Sequence, residues 1–217
     1  MALKLYTQDM SPTCRAVYLT AAALGLELEL TVIDVWKKEQ FLESFLKINP
    51  QHTIPTLDDN NTVIWDSNAI NIYLVSKYGK DDFLYPNDFK IQRVINQRLF
   101  YNASFVFPIG RRIILKTAKR IFPNKEDTAD LNKVYKMIET FLESSVWISC
   151  DNVTIADFCL VSSITSFNAW EPLDARKYPK LLNWIQNLKT LPYYWVADKG
   201  TKDFEQFVSK RLNKSVL

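Results

Sequence analysis

Residues 5–19 read LYTQDMSPTCRAVYL. A strand-like run leads into Ser11-Pro12-Thr13-Cys14 and then into a helix-like run, the layout of a redox C-x-x-C site with serine in the first place. Serine cannot relay electrons. At a helix N-terminus, where unpaired amides and the positive dipole end favour an anion, it can donate its O–H to an anion arriving from outside. A thiolate fits that description. A free thiol has a pKa near ~8.5, and each unit of depression corresponds to about 1.4 kcal/mol of preference for the charged form. A hydroxyl donor plus the helix terminus can supply about two such units. Cys14 takes the inward-facing second position, with no partner cysteine nearby. The plainer alternative is that Ser11 only caps its helix.

Two further stretches carry the same kind of chemistry. In Asn49-Pro50-Gln51-His52-Thr53-Ile54-Pro55 an X-Pro bond precedes a strand. A cis peptide there would turn a backbone N–H and C=O outward to a ligand. In Ile64-Trp65-Asp66-Ser67-Asn68-Ala69 a strand passes into a helix at Asp66-Ser67. That gives a hydroxyl, amides and a carboxylate at a second helix N-terminus, which matches the α-amino-acid end of a ligand. The plainer readings are a solvated loop for His52 and a simple cap for Ser67.

Composition narrows the rest. The chain has 217 residues, 47% hydrophobic and 13% aromatic, enough to bury a sizeable core. Its net charge of +3 gives no argument for nucleic acid. Three cysteines, Cys14, Cys150 and Cys159, form no disulfide framework, and a single histidine, His52, argues against a zinc site. No G-x-S-x-G surrounds any serine, which disfavours a hydrolase. No apolar run reaches ~18 residues and the first residues do not make a secretory leader, so a soluble cytoplasmic protein, with no membrane partner, is expected.

The elements that must hold these residues can be placed from the pattern. Residues 2–6 form a strand, 11–24 a helix with Pro12 at its first position and Gly25 past its end, and 28–35 a second strand. A short helix over 40–46 precedes a hairpin within 56–65 turning at Asn60-Asn61, and 66–78 is a helix. Strands joined through a helix run parallel, and the hairpin adds antiparallel strands. Residues 78–88 have linker composition. Beyond them every segment has helical period, including 178–191 and 202–212. Leu131, Val134, Ile138, Phe141 and Leu142 share one face. Thr154-Ile155-Ala156-Asp157 is a reciprocal cap, opening a chargeless helix that is the buried centre of the helical part. Pro108 and Gly110 predict a kink within 104–115. Arg111, Arg112, Lys116, Lys119 and Arg120 read as a solvated basic face, with steering of an anionic ligand as the other reading. The domains expected are residues 1–79, thioredoxin-like with order βαβαββα, a linker over 80–88, and an all-α domain over 89–217.

In order along the chain, S-P-x-C-R-A-V, N-P-Q-H-T-I-P, D-S-x-A-I, Y-G-K-D-D-x-L-Y-P and T-I-A-D resemble a cytosolic glutathione S-transferase, close to the insect delta and epsilon classes and epsilon especially. The resemblance runs through nearly the whole chain. It implies conjugation of glutathione, as co-substrate, to hydrophobic electrophiles, with no metal. Ser11 would stabilise the thiolate. Ile54, with Pro55 cis and Thr53 beside it, would pair with the cysteinyl part. His52 would hold the glycyl carboxylate, and Asp66, Ser67 and Asn68 the γ-glutamyl end. Gln40 stands where members often have a second histidine, and Asn68 where arginine or histidine is common. The electrophile pocket would draw on Met10, Pro12, Trp36, Phe107, Arg111, Ile114 and Phe207. A homodimer is implied, with detoxification, including of insecticides, as the broad role and hydroperoxide reduction or HCl elimination as further activities. A carrier of hydrophobic ligands such as steroids is the alternative, disfavoured by the intact Ser11, His52, Asp66 and Ser67.

Overall fold

The computed structural model describes residues 3–212. Its N-terminal part is a four-stranded mixed sheet, strand order β2-β1-β3-β4. Strands β1 (Leu3–Thr7) and β2 (Leu28–Val32) pair in parallel, joined by helix α1 (Pro12–Ala23). Strands β3 (Thr56–Asp59) and β4 (Thr62–Trp65) form an antiparallel hairpin, with β3 also antiparallel to β1. Asn60 and Asn61 turn that hairpin at φ 52° and 69°, the left-handed conformation that asparagine tolerates. A four-residue helix α2 (Glu43–Leu46) precedes the hairpin, and α3 (Ser67–Tyr78) follows it. Leu5, Cys14, Val17, Leu57, Ile70 and Leu74 fill the space between sheet and helices.

Among the described residues six α-helices make the C-terminal part: α4 (Phe89–Tyr101), α5 (Phe107–Ala118), α6 (Lys125–Phe141), α7 (Ile155–Phe167), α8 (Pro179–Lys189) and α9 (Trp195–Leu212). Every residue of α7 is buried, as the run without charge from Phe158 to Phe167 requires. Asp157 anchors its start. Its carboxylate accepts from the Thr154 amide at 2.8 Å and the Thr154 hydroxyl at 2.9 Å, from Ile148 N at 2.9 Å and from Trp184 Nε1 at 2.8 Å. The residues expected on one face of α6 are buried, with Phe141 half-buried.

The structure corrects several boundaries. Strand β2 ends at Val32 because the Asp34 carboxylate accepts from the amides of Trp36 and Lys37 and turns the chain. The helix expected over 40–46 is split into a 3₁₀ turn (Glu39–Phe41) and α2, because Leu42 is extended. Helix α9 starts at Trp195, not near 202. Gly200 lies inside it for a packing reason: a Cβ there would sit 2.0 Å from the Asp9 carbonyl oxygen. The irregularity near Pro108 falls one turn earlier, as a π-helical segment (Asn102–Val106). Pro108 itself is in the first turn of α5, where its missing N–H matters least.

The basic stretch on α5 is also corrected. Arg112 Nε donates to Asp127 at 3.1 Å and Arg112 Nη2 to Asp130 at 2.7 Å, while Lys116 Nζ donates to Asp127 at 2.6 Å. These two cations tie α5 to α6. They are not part of a free basic face.

Candidate active site

Helix α1 opens at Ser11, whose φ and ψ are extended as in an N-cap. Its hydroxyl does not cap the helix. It lies 2.8 Å from the hydroxyl of Thr13, which reaches toward the Ile54 carbonyl at 3.5 Å. The Ser11 amide is held by Gln8 O at 2.9 Å, so the serine is fixed by its backbone while its side chain faces a cleft. Cys14, one turn inward, is fully buried, and burial pushes its thiol up from the usual range. It is a core residue with no cysteine partner.

The cleft has a volume of about 410 Å³ and lies between the two parts of the chain. Met10, Ser11 and Pro12 form one side, with Trp36, Gln40, His52, Thr53 and Ile54 continuing it. Phe107, Arg111 and Ile114 of α5 and Phe207 of α9 form the other. All seven residues expected at the electrophile pocket therefore meet in one cavity. Trp36 stacks on Phe207 with centroids 5.4 Å apart and planes 16° apart, bridging the cleft.

Four residues expected to contact glutathione do not line this cavity: Pro55, Asp66, Ser67 and Asn68. The Ile54–Pro55 bond is cis. Asp66 stands at the N-cap of α3 with φ 69° and ψ 123°, a costly backbone for a non-glycine residue. Its Oδ1 accepts from the amides of Asn68 at 2.8 Å and Ala69 at 3.4 Å. Those amides are therefore occupied, and what α3 offers a ligand carboxylate is the Ser67 end of the helix. Asn68 Nδ2 donates to Leu99 O at 3.4 Å, across to α4. Gln40 Nε2 donates to Val35 O at 3.4 Å, and its Oε1 is buried without a partner. His52, at φ 49°, packs its ring 4.6 Å from that of Phe41.

Three residues at the site carry roles that the sequence reading did not assign. Thr13 sits against the Ser11 hydroxyl; a second hydroxyl two residues after an N-cap serine was the available signal. Gly110 lines the cleft because the Phe167 ring lies 2.8 Å from where its Cβ would be. Arg15 is fully buried and has no carboxylate partner among the described residues. Nη1 donates to Met10 O at 3.0 Å, and Nη2 to Ser162 O at 2.7 Å and Ser166 Oγ at 2.6 Å. Burial lowers its pKa to about 10, still charged at neutral pH.

Among the described residues no group of three or more His, Cys, Asp or Glu could hold a metal ion, and no helix is long and apolar enough to cross a membrane.

Residues 10–77 match the family model described as Glutathione S-transferase, N-terminal domain, and residues 116–193 that of the C-terminal domain. The chain is 37% identical over 197 residues to Glutathione S-transferase D7 of Drosophila melanogaster, covering 89% of this chain and 87% of the relative. A housefly (Musca domestica) epsilon-class glutathione S-transferase superposes with a TM-score of 0.93 at 40% identity, covering 96% of this chain and 98% of the other. A Drosophila mojavensis glutathione transferase homologue, solved with bound glutathione, superposes at 0.92 and 39% identity, covering 97% of each. Likeness of this extent joins sequence and architecture over nearly the full length, and the chain belongs to the glutathione S-transferase family.

Proposed function

We propose that this transferase conjugates glutathione to hydrophobic electrophiles, with Ser11 as the hydroxyl that stabilises the thiolate. The observation that carries the reading is the placing of Ser11: an N-cap serine that leaves its own helix uncapped and faces a cleft walled by apolar side chains. The Ser11 and Thr13 hydroxyls lie 2.8 Å apart; when Thr13 turns its proton from the Ile54 carbonyl to Ser11 Oγ, the serine proton is left for the sulfur. The amides at the start of α1 add to the same attraction. The thiolate and electrophile then meet in one cavity, which removes much of the entropy cost of bringing them together.

The glutathione contacts follow the family. His52 and Gln40 take the glycyl end, Thr53, Ile54 and Pro55 the cysteinyl backbone, and Asp66, Ser67 and Asn68 the γ-glutamyl end. Met10, Pro12, Trp36, Phe107, Arg111, Ile114 and Phe207 surround the electrophile. The domain division at 1–79, 80–88 and 89–217, a homodimer, a cytoplasmic location and a detoxifying role, with hydroperoxide reduction and dehydrochlorination as further activities, belong to the same reading.

The test is the ultraviolet thiolate absorbance of bound glutathione against pH. In the wild type the thiol should titrate about two units below that of free glutathione, and in Ser11→Ala this shift should largely vanish. Tight binding with an unshifted thiol in both proteins would overturn the mechanism and leave a carrier.

A further inference from the structure

Helix α5 presents Phe107, Gly110, Arg111, Ile114 and Leu115 to the cleft, the i, i+3, i+4, i+7, i+8 stripe of one helical face. Four of these five are apolar or have no side chain. Arg111 is the exception, and its surroundings differ from those of its neighbours. Arg112 and Lys116, on the opposite face, are paired with Asp127 and Asp130. Arg111 has no ion pair and no side-chain hydrogen bond among the described residues. Among the described residues no aspartate or glutamate lines the cleft. The serines on the same wall are already engaged: Ser163 Oγ donates to Asn102 Oδ1 at 3.0 Å, and Ser166 Oγ takes the Arg15 guanidinium at 2.6 Å. On the α5 and α7 side, Arg111 is therefore the polar group left to meet a ligand.

Arg111 is exposed to solvent where it lines the cleft and has no counter-charge there, so its fork of donors is free to match a planar carboxylate in two places. The opposite wall, around Ser11, receives the sulfur. The reacting carbon must lie near Ser11, so what reaches Arg111 is the far end of the same molecule. The apolar surfaces of Trp36, Phe107 and Phe207 lie around the cleft between them.

Resting on the transferase reading above, we propose that the cleft selects amphipathic electrophiles: an apolar, preferably aromatic body whose end distal to the reacting carbon carries a carboxylate, which Arg111 receives. The electrophile is drawn by that end as well as by its apolar surface.

A matched pair of aryl halides tests this. In 4-chloro-3-nitrobenzoate and its methyl ester the glutathione sulfur attacks the ring carbon bearing chlorine. A C–S bond forms, the C–Cl bond breaks, and chloride leaves with its electron pair. The ester is intrinsically more reactive, so each kcat/KM is divided by the uncatalysed second-order rate constant. The acid-to-ester ratio so normalised should exceed one in the wild type and fall about tenfold in Arg111→Gln. Arg111→Lys should keep part of it, and Arg111→Glu should drive it well below one. Arg211 provides the control for a diffuse field, since it lies over the Phe207 ring at 5.3 Å without lining the cleft. A ratio unchanged in Arg111→Gln, or lowered equally in Arg211→Gln, would overturn contact recognition by Arg111. Conjugation of 1-chloro-2,4-dinitrobenzene but not of the acid would overturn this inference alone; failure of the wild type with that compound and with both benzoates would instead remove the transferase reading and this inference with it.

Discussion

Arg15 reaches Ser162 across the seam between the two domains, its Nη2 donating to the Ser162 carbonyl at 2.7 Å from a side chain with no exposed surface. The same guanidinium holds the Met10 carbonyl, one residue before Ser11, so the loop carrying the serine is tied directly to α7. Hydrogen bonds to a charged group are each worth about 1.5–3 kcal/mol, and losing the donor leaves buried acceptors bare. Arg15→Gln should therefore destabilise the protein by about 3 kcal/mol or more in chemical denaturation. Arg15→Lys, with one nitrogen for acceptors on two sides, should recover only part of that. Wild-type stability in Arg15→Gln would show that the seam does not depend on this contact.

Thr13→Val should remove the hydroxyl next to that of Ser11 while keeping the side chain's shape. The expected result is a rise of about half a unit in the pKa of the bound glutathione thiol, smaller than that in Ser11→Ala. Absorbance titration of the two variants side by side checks it; an equal titration in wild type and Thr13→Val would remove Thr13 from the mechanism.

Asp157 gathers donors from Ile148, Thr154 and Trp184 around the start of α7. Asp157→Ala should cost about 3–5 kcal/mol, because three buried N–H groups lose their acceptor together. Trp184→Phe, which removes one donor, should cost about 1–2 kcal/mol. Equal losses in the two variants would contradict this ordering.

Acid stability should depend on Asp59. Burial alone would push its carboxyl up, but hydrogen bonds from Lys77, Tyr78 and Tyr73 outweigh that and hold it well below the usual carboxylate range. The folded pKa lies below the unfolded value near ~3.9, so the stabilisation is complete above that pH and is lost as pH falls toward the folded pKa. Unfolding free energy measured from pH 5 downward should fall less steeply in Asp59→Asn than in the wild type. Parallel curves would show that Asp59 titrates alike in both states.

Gly200→Ala should move α9 away from Asp9, since the new methyl would meet a main-chain oxygen that cannot yield as a side chain does. Phe204 and Phe207 ride on the same helix and line the cleft. The variant should lose stability by about 1–3 kcal/mol and raise KM for the electrophile more than for glutathione. Unaltered stability and kinetics would mean the loop follows the helix without cost.

Most of the architecture was legible because its signals are local. Alternation placed the strands, the Asn60-Asn61 pair placed the hairpin, and Thr154 with Asp157 marked the start of the buried helix. The cleft-lining group was legible through ordered motifs that fix residues far apart in sequence. What escaped depended on contacts across the fold. Nothing near Gly200 announces that Asp9 will press on it, and the helix expected over 202–212 leaves that glycine outside. Arg112 and Lys116 read as solvent-facing until α6 brings Asp127 against them. Arg15 looks like an ordinary helix-surface arginine until α7 covers it.

The π-helical segment at Asn102–Val106 has a further consequence for the wall that follows it. A π turn takes up an additional residue, and one residue corresponds to about 100° of rotation in an α-helix. The segment thus acts as a phase setting for everything downstream. Continued as an unbroken α-helix, the same sequence would turn the stripe facing the cavity back by a position: Val106 for Phe107, Ile109 for Gly110, Gly110 for Arg111, Ile113 for Ile114. The cleft would lose its arginine, and the Phe167 ring would meet an isoleucine where it now meets a glycine. The chemical character of the wall is thereby encoded in a count of residues as much as in their kinds, and a one-residue deletion that closed the π turn would leave the stripe in place.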